Sequence, residues 1–502
     1  MRRVLAVSAL VACSLPAHAA AAGGFADGVA AGEIRSTGAL LWTRAQQAGP
    51  LRVEVSVLRS FAGLPITKQT RAGTASDLTV RVPLTRLAPA TRYFYRFRQG
   101  AQLSPVGSFR TAPPPTQSAT VRFAISGDAD ATPGPDGKPG FNRFQVYGRM
   151  AAERNDFNVN LGDTIYSDSE LSGSKPALTV PAKWQKYRFG LALPGLRALR
   201  AGTGLYNHPD DHEYVNDFSV PEHGAALYRA GVKAFTDYAP VSWSANRGFY
   251  RTFRWGRHLE LFFLDERSFR SAKVAKECGG DLAPTAPAAV RAAFATLIPP
   301  LGQAVAQSCL DAIADPARTM LGPGQEAAFV RAIRASTATF KVVVNEVPIQ
   351  QFYQLPYDRW EGYAAERTRL LKALRSVRNV VFLTTDTHAN MIGEVRLQTL
   401  EGPPVGTGIW EVVTGPVATN TYAKEIDAVI GVPGTGDFVT ALFLKPVPPR
   451  GIGMQCAATD IFSYSEVVVT AAKLTVTPKT ATGARVAEKT GAACAPLVVA
   501  AR

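Results

Sequence analysis

The segment NLGDTIYSD, residues 160–168, constrains the fold more than any other part of this sequence. The preceding residues 156–161, DFNVNL, alternate apolar and polar side chains, which predicts a strand that ends at Gly162. Asp163 therefore lies at a strand exit, where the loops of α/β folds converge on a ligand crevice. Because Tyr166 follows three residues later, a carboxylate and a phenol can point at one place.

These two side chains offer hard oxygen ligands. A tyrosine of pKa about 10 loses its proton at neutral pH only beside a strongly charged centre such as ferric iron. The alternative is an ordinary turn after a strand with a half-buried tyrosine. Other parts of the chain decide between the two.

Potential metal ligands, mainly carboxylates, follow four predicted strands. These strands are VRFAIS (121–126), DFNVNL, a short strand near Leu205 and NVVFLTT (379–385). Each exit supplies a carboxylate and two add a histidine. In chain order these residues are Asp128, Asp130, Asp163, Asp210, Asp211, His212, Glu213, Asn216, Asp386 and His388. Singly, each is better explained as a helix cap, a turn residue or a hydrogen-bonded core histidine. Together, carboxylates at one edge of a sheet repel one another, and a multivalent cation removes that conflict.

The ligand types indicate two different cations. One set is oxygen-rich with a single imidazole, which suits Fe3+. Its members are Asp128, Asp163, Tyr166 and His388, with Asp130 as the alternative to Asp128. The other set has only oxygen ligands, which suits Ca2+, Mg2+ or Mn2+. It consists of Asp163 as a bridge with Asp211, Asn216 or Asp386.

Two such ions about 3.5–4 Å apart form a clamp for in-line displacement at phosphorus. His212 would then be the acid for the leaving group or a hydrogen-bond partner of a phosphoryl oxygen. In LDERSFR (264–270), Arg267 and Arg270 follow another apolar strand, and their guanidinium groups would hold a phosphate; surface ion pairing is the alternative.

The N-terminal residues predict export. Residues 1–19 combine an arginine pair, an apolar run and the sequence LPAHA, which is typical of a signal peptide cleaved after Ala19. A lipoprotein box ending at Cys13 and a reduced twin-arginine signal remain as alternatives. We therefore expect a periplasmic or secreted protein, and no later stretch is apolar for long enough to span a bilayer.

Net charge and cysteine content indicate what the protein binds and where it folds. A formal net charge of +15 would attract anionic material, but the basic residues are scattered and predict no dedicated nucleic-acid binding. Cleavage would leave four cysteines in an oxidising compartment. Of the three connectivities, the local pairs Cys278 with Cys309 and Cys456 with Cys494 are favoured. We expect a monomer.

The chain divides into a signal peptide (1–19), a small β-sandwich (25–113), a large α/β domain (119–480) and a C-terminal tail (481–502). The linker TAPPPTQS separates the two folded domains because successive prolines cannot join a sheet. In the large domain we expect a helix near residues 143–153, an Ala-rich helical insertion at 286–315 and a Gly/Pro-rich loop around 431–437.

The chain resembles the alkaline phosphatase D family of exported metallophosphoesterases over nearly its whole length after the signal. The ordered segments that carry the resemblance are GVAAGEIRSTGALLWTRA, LAPATRYFYRF, SPVGSFRTAP, NLGDTIYSD, DDHEYVND, LDERSFR, RTMLGPGQ, WEGY and DTHAN. It implies a four-layer α/β/β/α metallophosphoesterase sandwich behind a fibronectin type III-like domain, with iron plus calcium. It also implies phosphomonoester and phosphodiester substrates, including wall polymers and phospholipids.

Carried over by position, Asp163 would bridge the metals, Tyr166 and His388 would bind iron, and Asp211, Asn216 and Asp386 are the candidates for the second metal. The chain departs from the family pattern at three places. Family members often have Ser-Cys where this chain has Ser126-Gly127-Asp128, so a thiolate ligand is absent and Asp128 would replace it. Pro209 and Thr385 stand where the family commonly has Trp and Gly.

Three functions therefore remain. The first is a secreted bimetallic phosphoester hydrolase that works at neutral to alkaline pH, because its carboxylates and Tyr166 must be ionised. The second is a phosphodiesterase or phospholipase D-like preference within the same mechanism. The third, from another class, is a non-catalytic protein that binds phosphate or wall polymer.

Overall fold

The computed structural model describes residues 25–171, 173–355 and 357–502. The predicted signal peptide, residues 1–19, lies outside them. The strands are β1 Val29–Gly32, β2 Ala39–Arg44, β3 Gly49–Ser56, β4 Ile66–Ala72, β5 Thr79–Leu84, β6 Arg92–Gln99, β7 Gln102–Leu103, β8 Gly107–Arg110, β9 Val121–Ser126, β10 Phe157–Leu161, β11 Gly204–His208, β12 Arg251–Trp255, β13 Leu259–Phe263, β14 Phe340–Asn345, β15 Val380–Thr384, β16 Asn390–Gln398, β17 Val405–Val413, β18 Cys456–Ala458, β19 Ser463–Val469, β20 Lys473–Thr480 and β21 Leu497–Ala500.

The α-helices lie mostly between strands of the large domain. They are α1 Gln145–Ala152, α2 Val180–Ala192, α3 Pro194–Gly202, α4 Val220–Tyr238, α5 Ala288–Phe294, α6 Gln307–Ala314, α7 Gly322–Ala335, α8 Ala364–Leu374, α9 Tyr422–Ile430 and α10 Thr435–Val439. A π-helical turn, Thr440–Leu444, continues α10.

The N-terminal region forms two antiparallel sheets, as the short β-rich runs predict. One has the order β1-β2-β5, and the other has the order β4-β3-β6-β7 with β8 paired to β6. Asp77 joins this region to the large domain because its carboxylate accepts hydrogen bonds from Arg188 on α2 and Tyr238 on α4.

The large domain contains two facing sheets. The first has the order β11-β10-β9-β19-β20-β21, and the second has the order β12-β13-β14-β15-β17-β16-β18. Apolar side chains of both sheets, such as Phe157 on β10 and Leu261 on β13, share one core. Helices α1 to α4 cover the outer face of the first sheet, and α7 and α8 cover that of the second. This is the four-layer α/β/β/α sandwich that the resemblance implies.

The structure differs from the sequence prediction at the C-terminus. Strand β21 pairs antiparallel with β20, so residues 481–502 complete the first sheet and are not a separate tail. Helix α10 begins at Thr435, inside the expected loop at 431–437, so that loop is shorter than predicted.

Both expected disulfides are present, Cys278 with Cys309 and Cys456 with Cys494. The first ties Cys309 on α6, in the helical insertion, to Cys278 ahead of it, and the second ties the C-terminal segment to β18. Among the described residues, no single helix has the length and apolar character needed to cross a bilayer, although α9 and α10 with its continuation meet that test as a bent pair.

Candidate active site

The carboxyl ends of parallel strands from both sheets open on one cleft. Strands β9, β10 and β11 are parallel neighbours in the first sheet, and β13, β14 and β15 are parallel neighbours in the second. Loops beyond the strand ends line a cavity of about 330 Å³. The predicted site residues that line it are Asp163, Tyr166, Asp211, His212, Asn216, Asp386 and His388.

A buried group at the base of the cleft contains the residues predicted for iron. Ligand atoms of Asp128, Asp163 and His388 all lie within 4.8 Å of one another. The hydroxyl of Tyr166 lies 2.9 Å from Nε2 of His388. On the other side of the imidazole, Nδ1 lies 2.5 Å from a carboxylate oxygen of Glu425. Glu425 therefore orients the ring so that Nε2 faces the group, as carboxylates behind metal-binding histidines do.

Asp128 and Asp130 have different surroundings. Asp130 accepts hydrogen bonds from the backbone N of Thr132 and from the hydroxyl of Ser169, so both of its oxygens are used within the protein. Asp128 is completely buried, and its Oδ2 has no hydrogen-bond partner in the described part of the chain. A buried carboxylate oxygen without a partner is costly, and a cation would satisfy it. The geometry thus favours Asp128 over Asp130 as the candidate ligand.

The backbone at this group is strained. Asp128, Asp163, Asp386 and His388 have φ values of 60°, 48°, 64° and 52°, in the left-handed region that residues with a side chain rarely adopt. At Gly127, an added Cβ would lie 1.8 Å from the carbonyl oxygen of Leu161. A cysteine therefore does not fit at position 127 of this backbone, and the carboxylate of Asp128 is the charged group available there.

A second group of carboxylates extends from the first toward solvent. Asp163, Asp211 and His212 have ligand atoms within 4.8 Å of one another, and so do Asp211, Asp217 and Asp358. Asp163 belongs to the first group as well, which is the arrangement required of a bridging ligand.

The other two candidates for the second metal lie at the edges of this group. Asn216 is exposed at the mouth of the cleft, and its backbone N donates to Oδ2 of Asp168 at 2.7 Å. Asp386 turns Oδ1 toward Nη2 of Arg267 at 3.2 Å and lies 3.7 Å from Nε of Arg359. Asp386 therefore belongs to neither group of carboxylates, and Asn216 lines the same cleft.

The site carries an excess of buried negative charge. Burial raises the pKa of Asp163 well above its usual range, and the carboxylates of Asp211 and Asp210 raise it further. Burial also raises the pKa of Asp128 to about 7. The pKa of Tyr166 is raised well above 10 by burial and by Asp163. These groups ionise together only if positive charge is supplied, so the donor set fits a multivalent cation.

His212 is held at the wall of the cleft. Its Nδ1 lies 2.6 Å from Oδ1 of Asp168, and its ring stacks on that of Tyr166 with the centroids 4.1 Å apart. Burial alone would lower the pKa of His212, but Asp211 and the hydrogen bond to Asp168 outweigh burial and raise it to about 9. Because Asp168 engages Nδ1, Nε2 is the nitrogen that can exchange a proton with a substrate.

Arg267 and Arg270 lie behind the cleft wall. Both are 1% exposed. The guanidinium of Arg267 contacts Oδ1 of Asp210 at 2.5 Å, Oδ2 of Asp358 at 3.2 Å and Oδ1 of Asp386. Arg270 donates to the carbonyl oxygens of Asp358 and Asp217. Both guanidinium groups are therefore engaged in holding the carboxylate loops together.

Five further residues contribute to the site without having been singled out from the sequence. They are Asp168, Asp217, Asp358, Arg359 and Glu425. Arg359 lines the cleft, and its Nη1 is buried without a hydrogen-bond partner among the residues described. Asp168 was within reach of sequence reasoning because it ends the segment 160–168. Asp217 was also within reach, because it ends the segment DDHEYVND. Asp358, Arg359 and Glu425 follow no strand with a recognisable pattern.

Comparisons with known proteins identify the family to which this chain is similar. The model of the PhoD-like phosphatase family matches residues 135–438, and the model of that family's N-terminal domain matches residues 11–113. Alkaline phosphatase D of Bacillus subtilis (strain 168) is 25% identical over an alignment of 413 residues, and the match covers 73% of this chain and 64% of that protein. The chain thus spans less than two thirds of the length of this curated relative.

Two solved structures share the fold. The structure of PhoD has a TM-score of 0.72 at 21% identity, covering 95% of this chain and 89% of that one. The structure of a purple acid phosphatase from yellow lupin (Lupinus luteus) seeds has a TM-score of 0.56 at 13% identity, covering 94% of this chain and 73% of that one. At these identities the likeness establishes the sandwich fold.

Proposed function

The chain belongs to the PhoD-like phosphatase family, and from that premise we propose that it is a metal-dependent hydrolase of phosphoesters. One observation carries the proposal. Asp163 belongs both to the buried group with Asp128 and His388 and to the group with Asp211 and His212. A carboxylate shared between two adjacent donor groups is the arrangement that a two-metal phosphoesterase needs.

We assign Fe3+ to the group of Asp128, Asp163, Tyr166 and His388, because a buried phenol is ionised only by a strongly charged ion. We assign Ca2+, or Mg2+ or Mn2+ in its place, to Asp163 and Asp211 with Asn216 or Asp386, because these residues offer only oxygen. When bound, the two ions would supply Lewis-acid activation of the ester and of the attacking water.

The residues around the ions have separate tasks. His212, held by Asp168, would give a proton from Nε2 to the oxygen of the leaving group. Arg359 would bind a phosphoryl oxygen through Nη1, which has no hydrogen-bond partner among the described residues. For Arg267 and Arg270, which the sequence suggested as phosphate ligands, we propose a positioning role through the carboxylates and carbonyls that they hold.

A non-catalytic binding protein would not need this arrangement. A protein that only binds phosphate through two cations does not need a proton donor. The pairing of His212 with Asp168, which orients the imidazole of His212 in the cleft, would then have no purpose. We therefore retain hydrolysis as the function, on monoesters or on diesters. A phospholipase D-like preference is a variant of the same mechanism.

For location and partners we propose export by the signal sequence of residues 1–19, to the periplasm or the medium, and action as a monomer on a phosphoester. The substrate would be a small molecule, a wall polymer or a phospholipid. Mass spectrometry of the exported protein tests the first point, because cleavage after Ala19 leaves Ala20 as the first residue.

The function is tested by metal analysis of the purified protein together with cleavage of p-nitrophenyl phosphate and bis-p-nitrophenyl phosphate, with and without a chelator. We expect iron and a second metal, chelator-sensitive cleavage, and loss of both metal and activity in Asp163→Asn. The control is Asp136→Asn, which changes an exposed carboxylate. Absence of metal and of cleavage after reconstitution with iron and calcium would overturn the proposal.

A further inference from the structure

An apolar cavity adjoins the cleft. It measures about 70 Å³, and it is enclosed by residues of the helical insertion, by the segment around Tyr353 and by α9 and α10. Its lining is almost entirely apolar and includes Ala286, Phe294, Leu301, Ile430 and Phe443. Four residues line this cavity and the cleft alike, namely Gln354, Leu355, Ile426 and Val429. The two spaces are therefore neighbours that share a wall.

Helix α9 is a large part of that wall. Its residues Tyr422 and Glu425 line the cleft, and Glu425 binds His388 there. One turn later, Ile426 and Val429 face both spaces, and Ile430 lines the cavity. Residues 425 to 430 span less than two helical turns, so a group seated in the cavity would lie within about 8 Å along the helix of Glu425, which contacts the candidate ligand His388.

The opposite wall is fixed before any ligand binds. Arg291 is 5% exposed and forms two hydrogen bonds with the carboxylate of Asp281, at 2.8 and 2.9 Å. It also donates to the carbonyl oxygens of Ala283 and Gln303. The disulfide between Cys278 and Cys309 closes the segment that contains all of these residues. A preformed pocket loses little conformational entropy on binding.

The mouth of the cavity opens to solvent. Leu297 and Val429 both line it, and they are 38% and 54% exposed. Apolar pockets with few polar groups are typical of ligand sites. Solvent therefore reaches the rim of the cavity at Val429, which also lines the cleft.

We propose that this cavity is the subsite for a compact apolar substituent of a phosphoester whose phosphoryl group lies in the cleft. The inference rests on the proposed function and names the chemistry of its substrate. Engineered apolar cavities of roughly 150 Å³ hold one benzene. A cavity of about 70 Å³ therefore fits a short alkyl group rather than a long acyl chain.

The test compares p-nitrophenyl methyl phosphate with p-nitrophenyl butyl phosphate on the full chain purified with its metals. Both esters release the same leaving group, so their ratio of kcat/KM reports the alkyl subsite alone. Each buried methylene contributes about 0.8 kcal/mol, or roughly fourfold. With partial burial we expect the butyl ester to be favoured at least about tenfold.

The variants are chosen in matched pairs. Val429→Asp puts a charge at the shared wall, and Val498→Asp puts the same charge on β21 at a residue that is also 54% exposed. We expect the first to reduce the butyl preference to about twofold or less and the second to leave it unchanged. Ala286→Leu fills the cavity without touching the cleft, and it should also reduce the preference.

A binding measurement separates the subsite from turnover. In calorimetry, butylphosphonate should bind more tightly than methylphosphonate, with a more negative heat-capacity change that Ala286→Leu removes. Cleavage of both esters at equal rates, or a preference that survives Val429→Asp and Ala286→Leu, would overturn the subsite and leave the proposed function standing. Cleavage of p-nitrophenyl phosphate but of neither alkyl ester would overturn the subsite alone, and cleavage of none of the three compounds would overturn both.

Discussion

The Nδ1 atom of His212 lies 2.6 Å from Oδ1 of Asp168, and Oδ2 of the same carboxylate accepts the backbone N–H of Asn216. One carboxylate thus fixes the imidazole and the loop that carries a candidate metal ligand. Burial would raise the pKa of Asp168, but the hydrogen bond with His212 outweighs burial and lowers it, so Asp168 is ionised beside the ring.

Asp168→Asn tests the positioning of His212. The amide is nearly isosteric but has no charge to orient and stabilise a protonated imidazole, so we expect kcat to fall about 10- to 100-fold. Because Asp168 is not a proposed ligand, the iron content should stay constant. Kinetics with p-nitrophenyl phosphate and metal analysis measure both quantities. An unchanged kcat would contradict the assignment, and Asp136→Asn is the control for loss of an exposed carboxylate.

Arg267→Gln tests the ion-pair network behind the cleft. Burial would lower the pKa of Arg267, but Asp210, Asp211, Asp358 and Asp386 raise it well above its ordinary value. Removal of this cation leaves buried carboxylates facing one another, so we expect the free energy of unfolding in urea to fall by about 3–5 kcal/mol.

The control for that change is Arg369→Gln. Arg369 pairs with Glu326 at 2.7 Å, but its side chain is 50% exposed, so the expected loss is at most about 1 kcal/mol. The double variant Arg267→Gln/Asp210→Asn should recover part of the loss, because it also removes the closest unpaired carboxylate. Equal losses in Arg267→Gln and Arg369→Gln would show that the network does not stabilise the fold.

Asp77→Asn tests the contact between the two domains. Burial would raise the pKa of Asp77, but hydrogen bonds from Tyr238 and Arg44 lower it. At neutral pH we expect the variant to lose about 1.5–3 kcal/mol, as for hydrogen bonds to a charged group. Asparagine tolerates the positive φ of 49° at this position, so the backbone should be unaffected.

The pH dependence of this loss has a fixed sign. The folded-state pKa of Asp77 lies below the unfolded value of about 3.9, so its contribution is fully present above that value and disappears as the pH falls through the folded pKa. The difference in stability between wild type and Asp77→Asn should therefore be constant between about pH 5 and 7 and should shrink below pH 4. Urea titrations at these pH values measure it, and a gap that widens in acid would contradict the assignment.

The part of the site that could be predicted from the sequence is the part that follows a strand. Asp128, Asp163 and His388 come directly after runs with a clear apolar pattern, so the local pattern was sufficient to identify them. Asp128 and Asp163 follow parallel neighbours of the first sheet, whereas His388 follows β15 of the second, and the packing of the two sheets brings their ligand atoms within 4.8 Å of one another.

The remainder depends on contacts between distant segments. Asp358 lies beside Asp211, although 147 residues of sequence separate them. Glu425 contacts His388 from helix α9, and no capping side chain at the N-terminus of α9 indicates in the sequence where this helix begins. Arg267 was expected to face a phosphate because it follows a strand. The ion pairs with Asp210 and Asp358 decide where the guanidinium of Arg267 points. No local sequence pattern reveals these pairs.

Chelation tests whether the carboxylate groups depend on bound cations for stability. Without cations, burial raises the pKa of both Asp128 and Asp163, and any charge that they keep is uncompensated, so removal of the metals should destabilise the fold. An ion present at 100 times its Kd contributes about 2.7 kcal/mol, which for a chain of 502 residues corresponds to a fall in Tm of roughly 2–3 °C per ion. Scanning calorimetry with and without a chelator measures the shift, and added calcium and iron should reverse it.

In Asp163→Asn the shift should be largely lost, since the shared ligand is gone. A wild-type Tm that is the same with and without the chelator would show that the fold is stable without the ions.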